Sequence, residues 1–324
     1  MNVLEIPSTG YGILKPIARA MTGVLIGALF LWLALRQTSM EEVLAVFRQL
    51  NPSWLAIGLL FYGLDLALRA ARWRLLLMGI KVLDYRSVFT ALIVGYSVNN
   101  LLPARMGELY RAHFAGRRCG ISRAAAFGSI VIERALDGTV VILCLLIGML
   151  WVPLHRTLSI LAVTSIFVYV GLALSMLLLQ KQVLRIFTGR PLLQSKIIGF
   201  FKGLNVVKGS HFGQSTTLSL FIWILEALTF WAVLQALGVR LGWQAVPLVL
   251  GVVSLSTLLP SAPGFVGTYQ YAYAFVLTLL GYTATQGVAA AAAFQIFLMG
   301  PLTVAGILVH VYCHVNRKDT ILDD

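Results

Sequence analysis

Asn99-Asn100-Leu101-Leu102-Pro103-Ala104-Arg105-Met106-Gly107 breaks an apolar stretch that runs from about 87 to 116. Ser256-Thr257-Leu258-Leu259-Pro260-Ser261-Ala262-Pro263-Gly264 breaks a second one, from about 242 to 280. Proline lacks a backbone N–H and clashes with the preceding turn, so a continuous helix through either stretch is disfavoured. Each arm has about 14 to 18 residues. At ~1.5 Å per residue an arm spans ~21–27 Å, short of the ~30 Å hydrocarbon core of a bilayer. Both stretches therefore read as hairpins that dip into a membrane and return, or as paired crossings, and either form leaves the orientation of the other spans unchanged. Their surroundings repeat as well. Each hairpin closes on a glycine, in Gly120-Ile121-Ser122 and Gly281-Tyr282-Thr283, and each follows an apolar span holding one acid, Asp65 or Glu226.

Composition places these hairpins in a membrane protein. Of 324 residues, 59% are hydrophobic and 11% charged, with a mean hydropathy of +0.87. A soluble domain carries roughly 25% charged residues. So few charges cannot cover the water-facing surface of a chain this size, which excludes a soluble enzyme, a disordered segment and a nucleic-acid module despite the net charge of +13. Full spans are expected at roughly 17–36, 53–78, 124–152, 157–180, 215–237 and 285–314. The first follows Met1–Pro16 and reads as a retained anchor, since it is too long for a cleaved signal. Cys119, Cys144 and Cys313 form no CxxC pair, and His310 and His314 lack the intervening Glu of a zinc helix. Neither a metal nor a cofactor is expected. The fold class is all-α and polytopic, one integral domain over 1–324: anchor and connector 1–52, first repeat 53–152, connecting span and basic loop 153–214, second repeat 215–314, tail 315–324.

The basic residues orient these spans. Lys15 and Arg19 precede the first; Arg69, Arg72, Arg74, Lys81 and Arg86 end or follow the second; Arg105, Arg111, Arg117, Arg118 and Arg123 follow the first break. Lys181, Arg185, Arg190, Lys196, Lys202 and Lys208 fill a long loop without acids, and Arg317 and Lys318 lie near the end. The other side receives only Arg36, Arg48, Arg156 and Arg240, with Glu41 and Glu42. The positive-inside rule then puts both termini in the cytoplasm, in a cell (inner) membrane. The basic loop also carries Leu192-Leu193, Ile197-Ile198 and Phe200-Phe201, a pattern that suits an interfacial helix on anionic lipid. Three full spans and one hairpin separate the starts of the two repeats, so the repeats run in opposite senses. The first hairpin opens from the cytoplasm and the second from outside. Inverted repeats with broken helices mark secondary transporters, whose sites lie between the repeats. The plainer alternative makes the prolines kinks in packed helices.

Charges inside the spans are the candidate chemistry. Glu133, Arg134 and Asp137 sit some 10 to 14 residues into the third span. Each costs roughly 2.5–3.5 kcal/mol to insert, so pairing or function is expected. Arg134 is the one cation close to both acids in sequence and is expected to carry their pairing. Asp65 and Arg69, one turn apart, read as a structural pair. Glu226 has no local partner; it must find one across helices or take a proton, which makes it a candidate coupling residue.

The stretch Asn99–Glu108, continued by Arg111, Gly120-Ile121-Ser122 and Glu133-Arg134-Ala135-Leu136-Asp137, resembles the flippase-like family named after the membrane region of lysylphosphatidylglycerol synthases. Arg69 and Arg72-Trp73 match its basic-Arg-Trp element, and Pro263-Gly264-Phe265-Val266-Gly267 is similar to its Pro-Gly-x-x-Gly element. The resemblance covers nearly the whole chain and implies a lipid-translocating or lipid-handling membrane domain. Some members are fused to a synthase or glycosyltransferase; no such domain is read here, so lysyl transfer is not expected. Stand-alone members are associated with export of polyprenyl, hopanoid or phospholipid species. Many members have Glu at Gln270 and Arg near Gln295, a paired difference that keeps this site neutral.

The expectation is thus a lipid transporter or flippase for an amphiphile with an anionic head group. Arg105, Arg111 and Arg134 would hold the phosphate, and Glu108, Glu133 and Asp137 would position them. Asn99, Asn100, Pro103, Pro260, Pro263, Gly264, Gly267, Gln270 and Gln295 complete the candidate substrate site. Membrane lipids are the expected partners, with lipid-biosynthesis enzymes as further candidates. Two rivals stay open: a membrane transferase using Glu133 or Asp137 as general base, and a scaffold for lipid biosynthesis that transports nothing.

Overall fold

A computed structural model describes residues 10–36, 38–102, 105–152, 155–186, 191–209, 211–259 and 261–322. Among them every regular element is a helix. In chain order these are α1 (Gly10–Leu35), α2 (Met40–Arg48), α3 (Pro52–Met78), α4 (Tyr85–Leu101), α5 (Met106–Cys119), α6 (Arg123–Met149) and α7 (Arg156–Ile186). There follow α8 (Pro191–Leu204), α9 (Phe212–Ala236), α10 (Val246–Ser256), α11 (Thr268–Leu279), α12 (Ala284–Phe294) and α13 (Gly300–Leu322).

Local chemistry sets several boundaries. Asn51 caps α3 by accepting from the Ser53 and Trp54 amides, with Pro52 at the first helical position where its missing N–H costs nothing. Asp84 caps α4 through the Ser87 amide, a bond that holds its carboxyl below the usual carboxylate range. Ser122 starts α6, and Thr283 with Gln286 forms a capping box at α12.

The expected spans are helices, and α3, α9 and the run Ala284–Val315 combine the length and apolarity needed to cross a membrane. With its 27 residues α6 is ~40 Å long, but Glu133, Arg134 and Asp137 interrupt its apolar character. The protein is thus an all-α polytopic membrane protein. Pro103, Ala104 and Pro260 lie outside the described residues; their flanks show both breaks. Leu102 is extended and Arg105 left-handed at φ 54°, while the second turn has Gly264 at 66° and Gly267 at 92°. The arms α4, α5, α10 and α11 have 17, 14, 11 and 12 residues. By helix rise the longest reaches ~26 Å, less than a bilayer core.

At the centre α3 packs along α9, with Gly58 against Ala232 and Val233. Beside this pair α4 packs on α13, and α10 packs on α6, where Gly251 meets Leu145 and Gly148 meets Leu248. The second arms follow suit, α5 on α6 and α11 on α12. An aromatic cluster of Tyr62, Phe230, Tyr269, Tyr273 and Phe294 fills the core between α3, α9, α11 and α12. The basic loop expected to carry an interfacial helix does form a helix, α8, while α7 continues to Ile186; α8 presses Gly199 and Gly203 against Ser122, Ala125 and Gly128 at the start of α6. Its Leu193 and Ile198 stay exposed.

Candidate functional site

Five guanidiniums and five carboxylates form one network in the interior: Arg69, Arg72, Arg105, Arg111 and Arg134 against Asp65, Glu108, Glu133, Asp137 and Glu226. Helical spacing places Asp65, Arg69 and Arg72 on one side of α3 facing α6 and α9. Arg111 comes from the returning arm α5. Glu133, Arg134 and Asp137 come from one turn in the middle of α6.

Glu133 is fully buried and accepts from both terminal nitrogens of Arg111, at 3.0 and 2.8 Å, and from Arg134 at 2.5 Å. Arg111 lies 3.6 Å over the Trp73 ring, whose Nε1 donates to Ser129. Asp137 accepts from both terminal nitrogens of Arg72, at 2.7 and 3.2 Å, and from Trp223 Nε1 at 3.2 Å, and pairs with Arg134 at 3.0 Å. Arg72 also donates to Ser219. Arg69 binds Asp65 at 2.6 Å and Glu226 at 2.9 Å, with Asp137 at 3.9 Å.

At the other end the network emerges at the hairpin tips. Arg105 donates to the Thr257 carbonyl at 3.0 Å and to Thr257 Oγ1, so the first tip grips the second. Glu108 stands 3.7 Å from both Arg105 and Arg134. A left-handed non-glycine residue costs roughly 1–2 kcal/mol, which the Thr257 contacts of Arg105 offset. Asn100 reaches from the first tip to Thr303 Oγ1 at 2.8 Å and the Met299 carbonyl. Met299 ends a π-helical segment, Gln295–Met299, that joins α12 to α13. From the same segment Gln295 donates to the Gly264 carbonyl at 2.8 Å and accepts from Gln270 at 2.7 Å, and Gln270 accepts from the Gly267 amide at 2.7 Å. Pro263, Gly264 and Gly267 shape this second tip. The Asn99 side chain lies against Gly107, where a Cβ would run into the Gly95 carbonyl and Asn99 itself.

These positions amend the sequence reading. Arg111, expected to hold the phosphate, is 1% exposed and pairs with Glu133. Arg134 is not the sole cation of Glu133 and Asp137, since Arg72 and Arg111 serve them too. Glu226 has its partner across helices in Arg69. Arg72, Ser219, Trp223 and Thr257 belong to the site and were missed; Arg72-Trp73 stood in a matched motif, but nothing local to it pointed at Asp137.

A family model described as the lysylphosphatidylglycerol synthase TM region matches residues 20–306, which includes both hairpins and every residue of the charge network. The chain is 26% identical to the glycosyltransferase AglD of Haloferax volcanii over 88% of its own length and 53% of that protein, so it spans about half of that relative. It is 23% identical to a UPF0104 membrane protein of Methanocaldococcus jannaschii, over 76% of this chain and 80% of that one. A UPF0104 membrane protein of Methanothermobacter thermautotrophicus is 22% identical, over 87% and 92%. Because the match covers most of its length, the chain belongs to the lysylphosphatidylglycerol synthase TM region family.

Proposed function

We propose that this protein moves an amphiphile with an anionic head group across a cell membrane, holding the phosphate between Arg105 and Arg134 where the hairpin tips meet. The observation that carries this reading is a difference in exposure. The side chains of Arg105 and Arg134 are 26% and 29% exposed, whereas those of Arg69, Arg72 and Arg111 are 9% or less. Arg134 stands ~17 Å along α6 from its start, where a part-exposed charge requires water or a polar ligand. The planar guanidinium fork suits phosphate. The reciprocal packing of α4 on α13 and α10 on α6 about the α3–α9 pair supports an inverted repeat with alternating access. The first repeat supplies every arginine of the network, which favours capture from the leaflet its hairpin faces. The basic ends favour both termini in the cytoplasm.

Use of Glu133 or Asp137 as a general base fits less well. Each carboxylate is held by several guanidiniums, and an acid so engaged is a weak proton acceptor. The sugar-transfer activity in the name of the Haloferax relative belongs to a protein of which about half is matched. The test is leaflet-resolved transport in proteoliposomes with a panel of labelled lipids. Phosphate-bearing anionic lipids should move several-fold faster than neutral ones, and Arg105→Lys should erase that preference at near-normal protein yield. Equal rates for all head groups, in the wild type and the variant alike, would refute the proposal.

A further inference from the structure

The balanced charge network is not evenly charged along its length. Around the hairpin tips and α6, four guanidiniums face Glu108, Glu133 and Asp137, one positive charge in excess. Around Arg69 the count reverses, since this one guanidinium binds both Asp65 of α3 and Glu226 of α9 while Arg72 of α3 faces Asp137. One carboxylate there has no cation of its own. Asp65 is 1% exposed, and its Oδ1 finds no hydrogen-bond partner among the described residues. A buried carboxylate oxygen without a donor is costly as an anion, and binding one proton removes the excess charge.

The other groups around this locus do not supply the missing cation. From α3 itself come Tyr62 and Arg72, and Arg72 is engaged by Asp137. Tyr96 faces Arg69 from α4, and Tyr269 and Tyr273 face Glu226 from α11. From α6 the nearest charge is Asp137, a third acid at 3.9 Å from Arg69. Trp223 from α9 adds only a ring face, 5.9 Å from the guanidinium. Glu226, at 16% exposure, is the most exposed member of the locus.

We infer that Asp65, Arg69 and Glu226 form a proton-binding site that works together with the arginines at the hairpin tips, so that one proton and one head-group negative charge are carried together. The inference rests on the transport reading above. The proton adds to a carboxylate oxygen of the Asp65–Glu226 pair from water on one side and leaves to water on the other. Asp137 links the loci, lying between Arg69 at 3.9 Å and Arg134 at 3.0 Å. Filling both loci leaves the network neutral; filling either one alone leaves a net charge inside the membrane.

Two measurements test this, one of them independent of transport. Binding of a short-chain phosphatidylglycerol, a phosphodiester with one negative charge that does not titrate near neutral pH, to the detergent-solubilised protein, followed by calorimetry in buffers of different ionisation enthalpy, should take up about one proton per lipid. Asp65→Asn and Glu226→Gln should each reduce the uptake to about zero, because either leaves Arg69 with one matched acid. In proteoliposomes clamped at zero potential, a one-unit pH difference should drive about tenfold accumulation of the anionic lipid, the ratio for one-to-one coupling. Either variant should still move lipid downhill without responding to the gradient. Wild-type transport that ignores the gradient, or binding without proton uptake, overturns the coupling and leaves the transport proposal standing. Proton uptake on binding without transport supports the site and sinks the transport proposal instead.

Discussion

The Arg72 side chain has no exposure, donates to both oxygens of Asp137 and lies 3.7 Å from Glu133. Removing one member of a buried pair costs roughly 3–5 kcal/mol, because the partner is left charged and unmatched. Arg72→Met should therefore lower the folded yield and thermal stability in detergent sharply. Arg134→Met should cost far less stability while lowering transport, since Glu133 keeps Arg111 and Asp137 keeps Arg72. The reverse order would show that Arg134 carries the pairing. Neutralising Glu133, Arg134 and Asp137 together does not relieve the buried charge, because Arg72 and Arg111 then lose their main acids. Sequence made some of these pairs visible and hid others for a simple reason of separation. Asp65 and Arg69 lie one helical turn apart, so their bond was readable. Arg72 and Asp137 are 65 positions apart, and Arg111 meets Glu133 only after the hairpin has turned back.

Among the elements, the first hairpin depends on how closely its arms approach. Gly107 admits the Gly95 carbonyl and the Asn99 side chain where any Cβ would stand. Gly107→Ala should cost about 1–3 kcal/mol by overpacking, and it should lower transport by shifting Arg105 and Glu108 at the tip. In α3, a Cβ at Gly63 meets nothing within 4 Å, so Gly63→Ala should be neutral or stabilising in the same thermal assay. Equal effects of the two changes would mean that helix propensity, not the close approach, governs the hairpin. The prolines made both breaks legible in the sequence, and arm lengths made the hairpins legible. The tip-to-tip bond of Arg105 with Thr257 was not, because a left-handed arginine leaves no mark in a residue pattern. The π segment was equally silent: Gln295 to Met299 reads as ordinary helix until its bonds to Gly264 and Asn100 are seen.

Across the whole molecule, charge and packing sort the loops to two ends. At one end Lys81 donates to the Cys119 carbonyl, Gly79 meets Val206, and Gly199 of α8 sits on Ser122. The α3–α4 and α5–α6 turns and the α8 segment thus share that end, with Lys81, Arg117, Arg118, Lys196 and Lys202. At the far end of α3, Asn51 binds the Ala236 carbonyl, and Tyr282 binds the carbonyl of Arg240. If the basic end is cytoplasmic, cysteines placed near Arg48, Arg156 and Arg240 should react with an impermeant maleimide on intact cells. Those near Lys81 and Lys196 should react only after the membrane is opened. The background must lack Cys119, Cys144 and Cys313. Because the two ends are opposite tips of one rigid helix pair, α3 and α9, the labels cannot sort independently. External labelling at Lys196 with protection at Arg240 would invert the protein, and with it the leaflet from which Arg105 and Arg134 receive their lipid.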